Sequence, residues 1–464
     1  MRKVHTAALT VATLVVAGAY YGLADSLDIV PGPLTAASQS YETQPYPTPS
    51  IPPDGQDAPS GLDPDAPAPT ATSLSSLANA LASDSQVGGA TTAVTVIDVA
   101  TGETLLDTSS TPLTPASSNK ILTASAALSL LGPEHALTTK AVVSGGTVTL
   151  VGGGDVLLAA DAGDPDATVG HAGLGDLARS TAQALQARGV TSVNVALDDT
   201  LFTGPSWNSS WEGGNEAWVA QIQPIMLDVT AHSHTGGYPA DPAMEAAQTF
   251  SDQLASAGVT VSGDVSRSAA PSDATELASV ASAPLADVLS VSLKASDNTM
   301  TEVEGRMVAV AAGQEASFEG ATKAVLAKLT ADGFQTGGVT MVDCSGLATA
   351  DRVPSSLLAQ IIAHSAGSDG GSAGRTLLAD LPVGGLDGTL EERFVGVAGA
   401  GTVRAKTGSL DTAASLTGTV VTADGRQVAF AVIVDGFEGG GLTSARTAID
   451  DDVIVPLAGC GCSG

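Results

Sequence analysis

The stretch Pro115-Ala116-Ser117-Ser118-Asn119-Lys120, running straight into the apolar segment Ile121 to Leu131, constrains this chain more than any other. A serine and a lysine three positions apart on a helix stand about one turn from each other on the same face. That sets an amine beside a hydroxyl too weakly acidic to attack anything at neutral pH. A lysine held neutral by burial and a neighbouring positive charge can take the serine proton. Ser-x-x-Lys alone is an ordinary helix start, so its meaning depends on what stands downstream.

Lysine is scarce here, with only Lys3, Lys120, Lys140, Lys294, Lys323, Lys328 and Lys406 in 464 residues. Lys120, Lys294 and Lys406 all fall in or beside further polar motifs, a placement that argues against coincidence. The rest of the composition is that of a folded, small-residue protein, 43% hydrophobic and 3% aromatic. Its formal charge of −31 repels phosphate backbones, and no basic stripe offsets it, which excludes nucleic acid as a partner. Three cysteines, Cys344, Cys460 and Cys462, give no disulfide framework for a chain this long.

Arg2 and Lys3 precede the uncharged run Thr6 to Ala24, which reads as a signal anchor or signal peptide over residues 1–25. The basic flank favours an N-inside orientation and an exported remainder. Eleven of the 24 prolines lie between Pro31 and Pro69, so residues 26–72 read as a flexible linker. Folded structure is expected from Ser73: a short helix, a hairpin over Ala93–Val99 and Thr104–Leu106, then the serine helix ending at Gly132-Pro133. Residues 137–283 read as an inserted α/β region, with a hairpin up to Val151 and helices over Leu174–Arg188 and Ala243–Gly258. Within it, Trp207, Trp211 and Trp218 read as core packing, and His232-Ser233-His234 lacks the acidic or cysteine neighbours of a metal site. Two helices then flank Ser296-Asp297-Asn298, Met341–Leu347 is expected to give a strand and then Asp343-Cys344-Ser345-Gly346, and Ser355–His364 a helix. Lys406-Thr407-Gly408-Ser409 reads as strand, followed by the hairpin Leu416–Thr422 and Val428–Val434 and a last helix over Thr443–Val455.

Ser117-x-x-Lys120, Ser296-Asp297-Asn298 and Lys406-Thr407-Gly408 thus stand in order on helix, loop and strand, the three-part signature of penicillin-recognising serine enzymes. From Ser117 to Ser296 is 179 positions, too long for a compact β-lactamase and enough for an insert. The layout resembles the D-alanyl-D-alanine carboxypeptidase/endopeptidase family, the class C low-molecular-mass penicillin-binding proteins. Asp343-Cys344-Ser345-Gly346-Leu347 and Leu381-Pro382-Val383-Gly384-Gly385-Leu386-Asp387-Gly388-Thr389-Leu390 extend the likeness, and the anchor, linker and low lysine content resemble an actinobacterial exported member. Cys344 stands where the family usually has glycine, which would put an oxidation-sensitive thiol near the cleft; Ser409 stands where many relatives have threonine or alanine.

The resemblance implies an α+β fold: an antiparallel sheet flanked by helices, built from residues 73–136 and 284–464 and interrupted by 137–283. It implies a serine-type carboxypeptidase with endopeptidase capacity, trimming peptidoglycan stem peptides that end in D-Ala-D-Ala, with β-lactams as covalent inhibitors. Ser117 would attack and Lys120 accept its proton, while the backbone N–H groups of Ser117 and Ser409 hold the oxyanion, worth ~3 kcal/mol per donor. Ser296 would relay a proton to the leaving D-alanine, and Asn298 would steady Lys120 and the substrate. Lys406 and Thr407 would hold the terminal carboxylate, with Asp297, Gly408 and Ser409 also in the substrate site and the charge of Lys406 helping to keep Lys120 neutral. No metal or organic cofactor is implied. The competing readings are a serine β-lactamase, for which no Glu-x-x-Leu-Asn segment stands between Ser296 and Lys406, and a non-hydrolytic penicillin-binding sensor or wall-associated interaction protein.

Overall fold

The computed structural model describes residues 13–21, 62–63, 65–211, 213–233 and 237–460. The chain divides into two units, Met1–Gly61 and Leu62–Gly464. In the first, residues 13–21 form helix α1. The remainder of the expected anchor and most of the expected linker lie outside the described residues. Among the described residues, no helix is long and apolar enough to cross a membrane.

The second unit begins with α2 (Ala71–Ser83), whose first turn is capped by the Thr70 hydroxyl. Strands β1 (Thr91–Asp98) and β2 (Thr104–Asp107) form a hairpin. A 3-10 turn over Ala116–Asn119 then runs without a break into α3 (Lys120–Leu131). Helix α3 is apolar on nearly every face and is buried accordingly, from Lys120 through Leu128. It stops at Gly132, whose φ of +85° glycine adopts without strain.

Residues from 138 to 281 build a second sheet from β3 (Thr138–Ser144), β4 (Thr147–Val151), β6 (Ser192–Asp198), β8 (Thr260–Val261), β9 (Ser266–Arg267) and β10 (Thr275–Ala281). A separate parallel pair joins β5 (Asp155–Leu158) to β7 (Ile225–Leu227). Helices α4 (Leu174–Ala187) and α5 (Pro242–Ser256) bury Leu177, Leu185, Phe250 and Leu254 against this sheet, giving the region its own core.

The chain then returns through α6 (Leu285–Ala295), α7 (Asn298–Ala311), α8 (Phe318–Ala331), α9 (Ser355–Ala366) and α10 (Gly371–Ala379). Strands β11 (Arg404–Ser409), β12 (Ala413–Val421) and β13 (Gln427–Asp435) follow, then α11 (Leu442–Ala448), a π-helical turn over Ile449–Ile454, and α12 (Val455–Gly459). The five strands β11-β12-β13-β1-β2 form one antiparallel sheet, its N-terminal and C-terminal parts joined where β1 pairs with β13, from Thr91 opposite Asp435 to Asp98 opposite Val428. Strand β13 is apolar at nearly every position because helices cover both faces. Ala429, Ala431 and Ile433 enter the core with α3 and α9, while Val428, Phe430, Val432 and Val434 enter the core with α2.

One local expectation fails, and the expected last helix is present with a distortion. Met341–Leu347 is a bent loop without the strand expected at its start, because carboxylates of Glu302 and Asp343 capture the backbone N–H groups of Cys344, Ser345, Gly346 and Ala348. The last helix widens into a π turn just before Pro456, which has no N–H to continue the α pattern.

Candidate active site

Ser117 sits in the 3-10 turn and Lys120 on the first residue of α3, so the backbone alone brings them together; Lys120 Nζ is 3.1 Å from Ser117 Oγ. The turn is tight: Ala116 has φ +47°, a left-handed conformation that an L-residue holds only under external constraint. Glycines supply that constraint. A Cβ on Gly408 would lie 2.6 Å from the Pro115 carbonyl oxygen, and one on Gly346 would lie 1.9 Å from that of Ala116. Ser415, on the neighbouring strand, ties the turn down by donating to Pro115 O at 2.6 Å and bonding Ser118 Oγ at 2.8 Å.

The second motif is delivered by the junction of α6 and α7. Ser296 takes φ +57° there, which turns the chain between the helices. Asn298 opens α7 and its Oδ1 accepts from Lys120 Nζ at 2.7 Å, while its Nδ2 donates to the Trp218 carbonyl at 3.0 Å. Lys406, in mid-β11, donates to Ser296 Oγ at 2.8 Å and to the carbonyl of Thr407 at 2.9 Å. Ser117, Lys120 and Asn298 therefore form one hydrogen-bonded group, and Ser296 and Lys406 a second. Thr407, a strand step from Lys406, donates its hydroxyl to Thr389.

Both lysines are fully buried. Burial pushes the Lys120 amine down to about 8, against the pull of the carboxylates Asp343, Asp297, Glu302 and Glu304. Burial, with the charge of Lys120 second, holds Lys406 well below the ordinary lysine range. Desolvation thus outweighs the expected charge effect of Lys406 on Lys120; their repulsion is reciprocal and disfavours having both protonated. A neutral Lys120 keeps two hydrogens. Asn298 Oδ1 at 2.7 Å and the Ser345 carbonyl at 2.8 Å take them, leaving the lone pair for Ser117 Oγ, the most distant of the three acceptors.

Asp297 and Ser409 each make further side-chain contacts. The Asp297 carboxylate accepts from Met300 N at 2.9 Å as the α7 cap and from the Ser233 hydroxyl. The Ser409 hydroxyl accepts from the Arg446 guanidinium of α11. Cys344 is no exposed thiol: it is fully buried against Gly305, and burial raises its pKa well above the ordinary thiol value, which makes it inert. The sequence reading also missed the support for the motifs: the Ser345 and Trp218 carbonyls, Glu302, Arg446 and Thr389. Trp211 is core, edge-on to Trp207 and Phe318 and donating to Asp343, whereas Trp218 is 47% exposed beside Asn298.

The D-Ala-D-Ala carboxypeptidase 3 (S13) family pattern matches residues 74–237 and 236–453, spanning all three motifs. The chain belongs to that family. As a member it is a serine-type D-alanyl-D-alanine carboxypeptidase of the penicillin-binding kind. It is 37% identical over 416 residues to a carboxypeptidase of Mycobacterium tuberculosis, covering 85% of this chain and 86% of the relative. A D-alanyl-D-alanine carboxypeptidase of an Actinomadura species is 29% identical over 477 residues, covering 82% and 83%. The fold is similar to the crystal structure of penicillin binding protein 4 from Haemophilus influenzae, with TM-score 0.64 and 21% identity, over 79% of this chain and 94% of that one. The α+β architecture implied by the resemblance, an antiparallel sheet flanked by helices, is thus the observed one.

Proposed function

We propose that the carboxypeptidase reaction runs through Ser117 as nucleophile and Lys120 as its base. The observation that carries this is the buried amine 3.1 Å from Ser117 Oγ, its two hydrogens spoken for by shorter contacts to Asn298 and Ser345. Ser117 attacks the carbonyl of the penultimate D-alanine of a stem peptide, and the proton passes to Lys120. Ser296, bonded to Lys406, returns a proton to the amine of the leaving D-alanine, and water then releases the acyl-enzyme. The N–H groups of Ser117 and Ser409 take the oxyanion, and Lys406 and Thr407 take the terminal carboxylate. Gly408 lets the strand approach the serine turn. A β-lactam enters the same path and stops at the acyl stage.

The same centre, acting on cross-linked peptides, supplies endopeptidase action. Residues 73–136 and 284–464 form the catalytic part and 137–283 the inserted part. Residues 1–25 hold the chain at the membrane and 26–72 space it away, a reading supported by Arg2, Lys3 and the uncharged run behind them, with the wall as the place of action.

The test is product analysis on a peptide ending in D-Ala-D-Ala. Free D-alanine should appear with the wild-type chain and fall by at least ~100-fold in K120A and K406A. Turnover unchanged in K120A would overturn the base assignment. Rapid penicillin hydrolysis without peptide turnover would make the chain a β-lactamase instead.

A further inference from the structure

Glu302 has no part in the reaction just described, yet it is buried beneath it. It lies one turn into α7, fully buried, and its Oε1 accepts two backbone N–H groups, from Cys344 at 2.9 Å and Ser345 at 2.8 Å. Its other oxygen has no hydrogen-bond partner among the described residues. One turn further along the same face, Gly305 leaves no room for a side chain, since a Cβ there would lie 2.3 Å from Cys344 Sγ. The loop is therefore pressed onto this face of α7 and has no ladder to fix its backbone. Two carboxylates fix it, Asp343 from within the loop and Glu302 from α7, and only Glu302 holds the Cys344 and Ser345 N–H groups.

That loop carries the Ser345 carbonyl, which accepts from Lys120 Nζ at 2.8 Å. We propose that Glu302 is a positioning residue for the base: it clamps the Cys344–Ser345 backbone so that the Ser345 carbonyl holds one amine hydrogen and the lone pair of Lys120 faces Ser117. The inference rests on Lys120 being the base. Release of the clamp lets the carbonyl swing and the amine turn with it, without removing any group that touches substrate.

The carboxyl is also coupled to the base by charge. Burial first, and the Asp343 carboxylate second, raise Glu302 to about 8, so it ionises over the same pH range as the Lys120 amine. Its charged and titratable surroundings are Asp343, Cys344 and Asp351 from the loop region, Lys120 from α3, and Arg306 on its own helix. As Glu302 ionises it favours the ammonium form of Lys120, so the native residue holds the acid limb of acylation at higher pH than a neutral isostere would.

The experiment measures acylation of the full chain by a fluorescent penicillin from pH 5 to 9 in the wild type, E302Q, E302A and S117A. E302Q keeps an oxygen for both N–H groups, so its rate at pH 7 should stay within about threefold of wild type. Its acid limb should move down by about half a pH unit or more, a change that mere packing would not cause. E302A should acylate about 10- to 100-fold more slowly. The proposal is overturned if E302A acylates at the wild-type rate, or if the E302Q limb does not move; should E302A fail to fold, the E302Q limb decides alone. Labelling that persists in S117A is a separate failure, of the nucleophile assignment rather than of the clamp.

Discussion

Gly408→Ala tests whether β11 must touch the serine turn for the enzyme to work. The new methyl would lie 2.0 Å from Ser415 Oγ, 2.6 Å from the Pro115 carbonyl oxygen and 3.1 Å from Ala116 Cβ. Ser415 can rotate away, losing its bonds to Pro115 and Ser118 at roughly 1 kcal/mol each. The carbonyl cannot rotate. Restoring an ordinary contact means widening 2.6 Å to 3.4 Å, a backbone shift of about 0.8 Å between the turn and the strand. Misplacement on that scale costs on the order of 100-fold in rate, and overpacking a closed site costs roughly 1–3 kcal/mol. G408A should therefore acylate about 100-fold more slowly with fluorescent penicillin, with a melting temperature several degrees lower in calorimetry. Acylation within threefold of wild type at an unchanged melting temperature would refute the contact argument.

Three further outcomes follow from the same geometry. Ser296 holds φ +57°, so S296G should be more stable than S296A by about 1 kcal/mol in urea unfolding although both lack the hydroxyl; the reverse order would show that the turn is unstrained. Asp297 caps α7, so D297A should lose about 1 kcal/mol while D297N keeps both stability and peptide KM; a raised KM in D297N would put Asp297 in the substrate site. Burial raises Glu304 from 4.5 to about 8, so the native state keeps a proton that the unfolded chain releases, and stability falls as pH rises through that window. E304Q should flatten the loss of melting temperature between pH 5 and pH 8, and an equally steep loss would contradict a buried, neutral Glu304.

The three motifs were legible because each is a short run of chemically unusual residues at a spacing one element imposes. Ser117 and Lys120 need only a helical turn, and Lys406 stands out in a chain with seven lysines. The central sheet was legible for a related reason: the apolar runs in β12 and β13 flank the Asp424-Gly425 turn. What stayed hidden was carried by backbone or by distant partners. Carbonyls of Ser345 and Trp218 have no signature, and Glu302 reads as a helical surface acid until its burial is seen. Met341–Leu347 has strand-like character at its start, but propensity cannot report that two carboxylates 41 positions apart, Glu302 and Asp343, take its N–H groups. Asp297 sits between two motif residues, and only its bond from Met300 N reveals that it caps its own helix.

The assignment rests most directly on where penicillin attaches. After incubation of the full chain with penicillin, intact mass and peptide mapping should find one penicilloyl group, on the peptide that contains Ser117, and none in S117A. An adduct on another residue, or one that survives in S117A, would contradict the account.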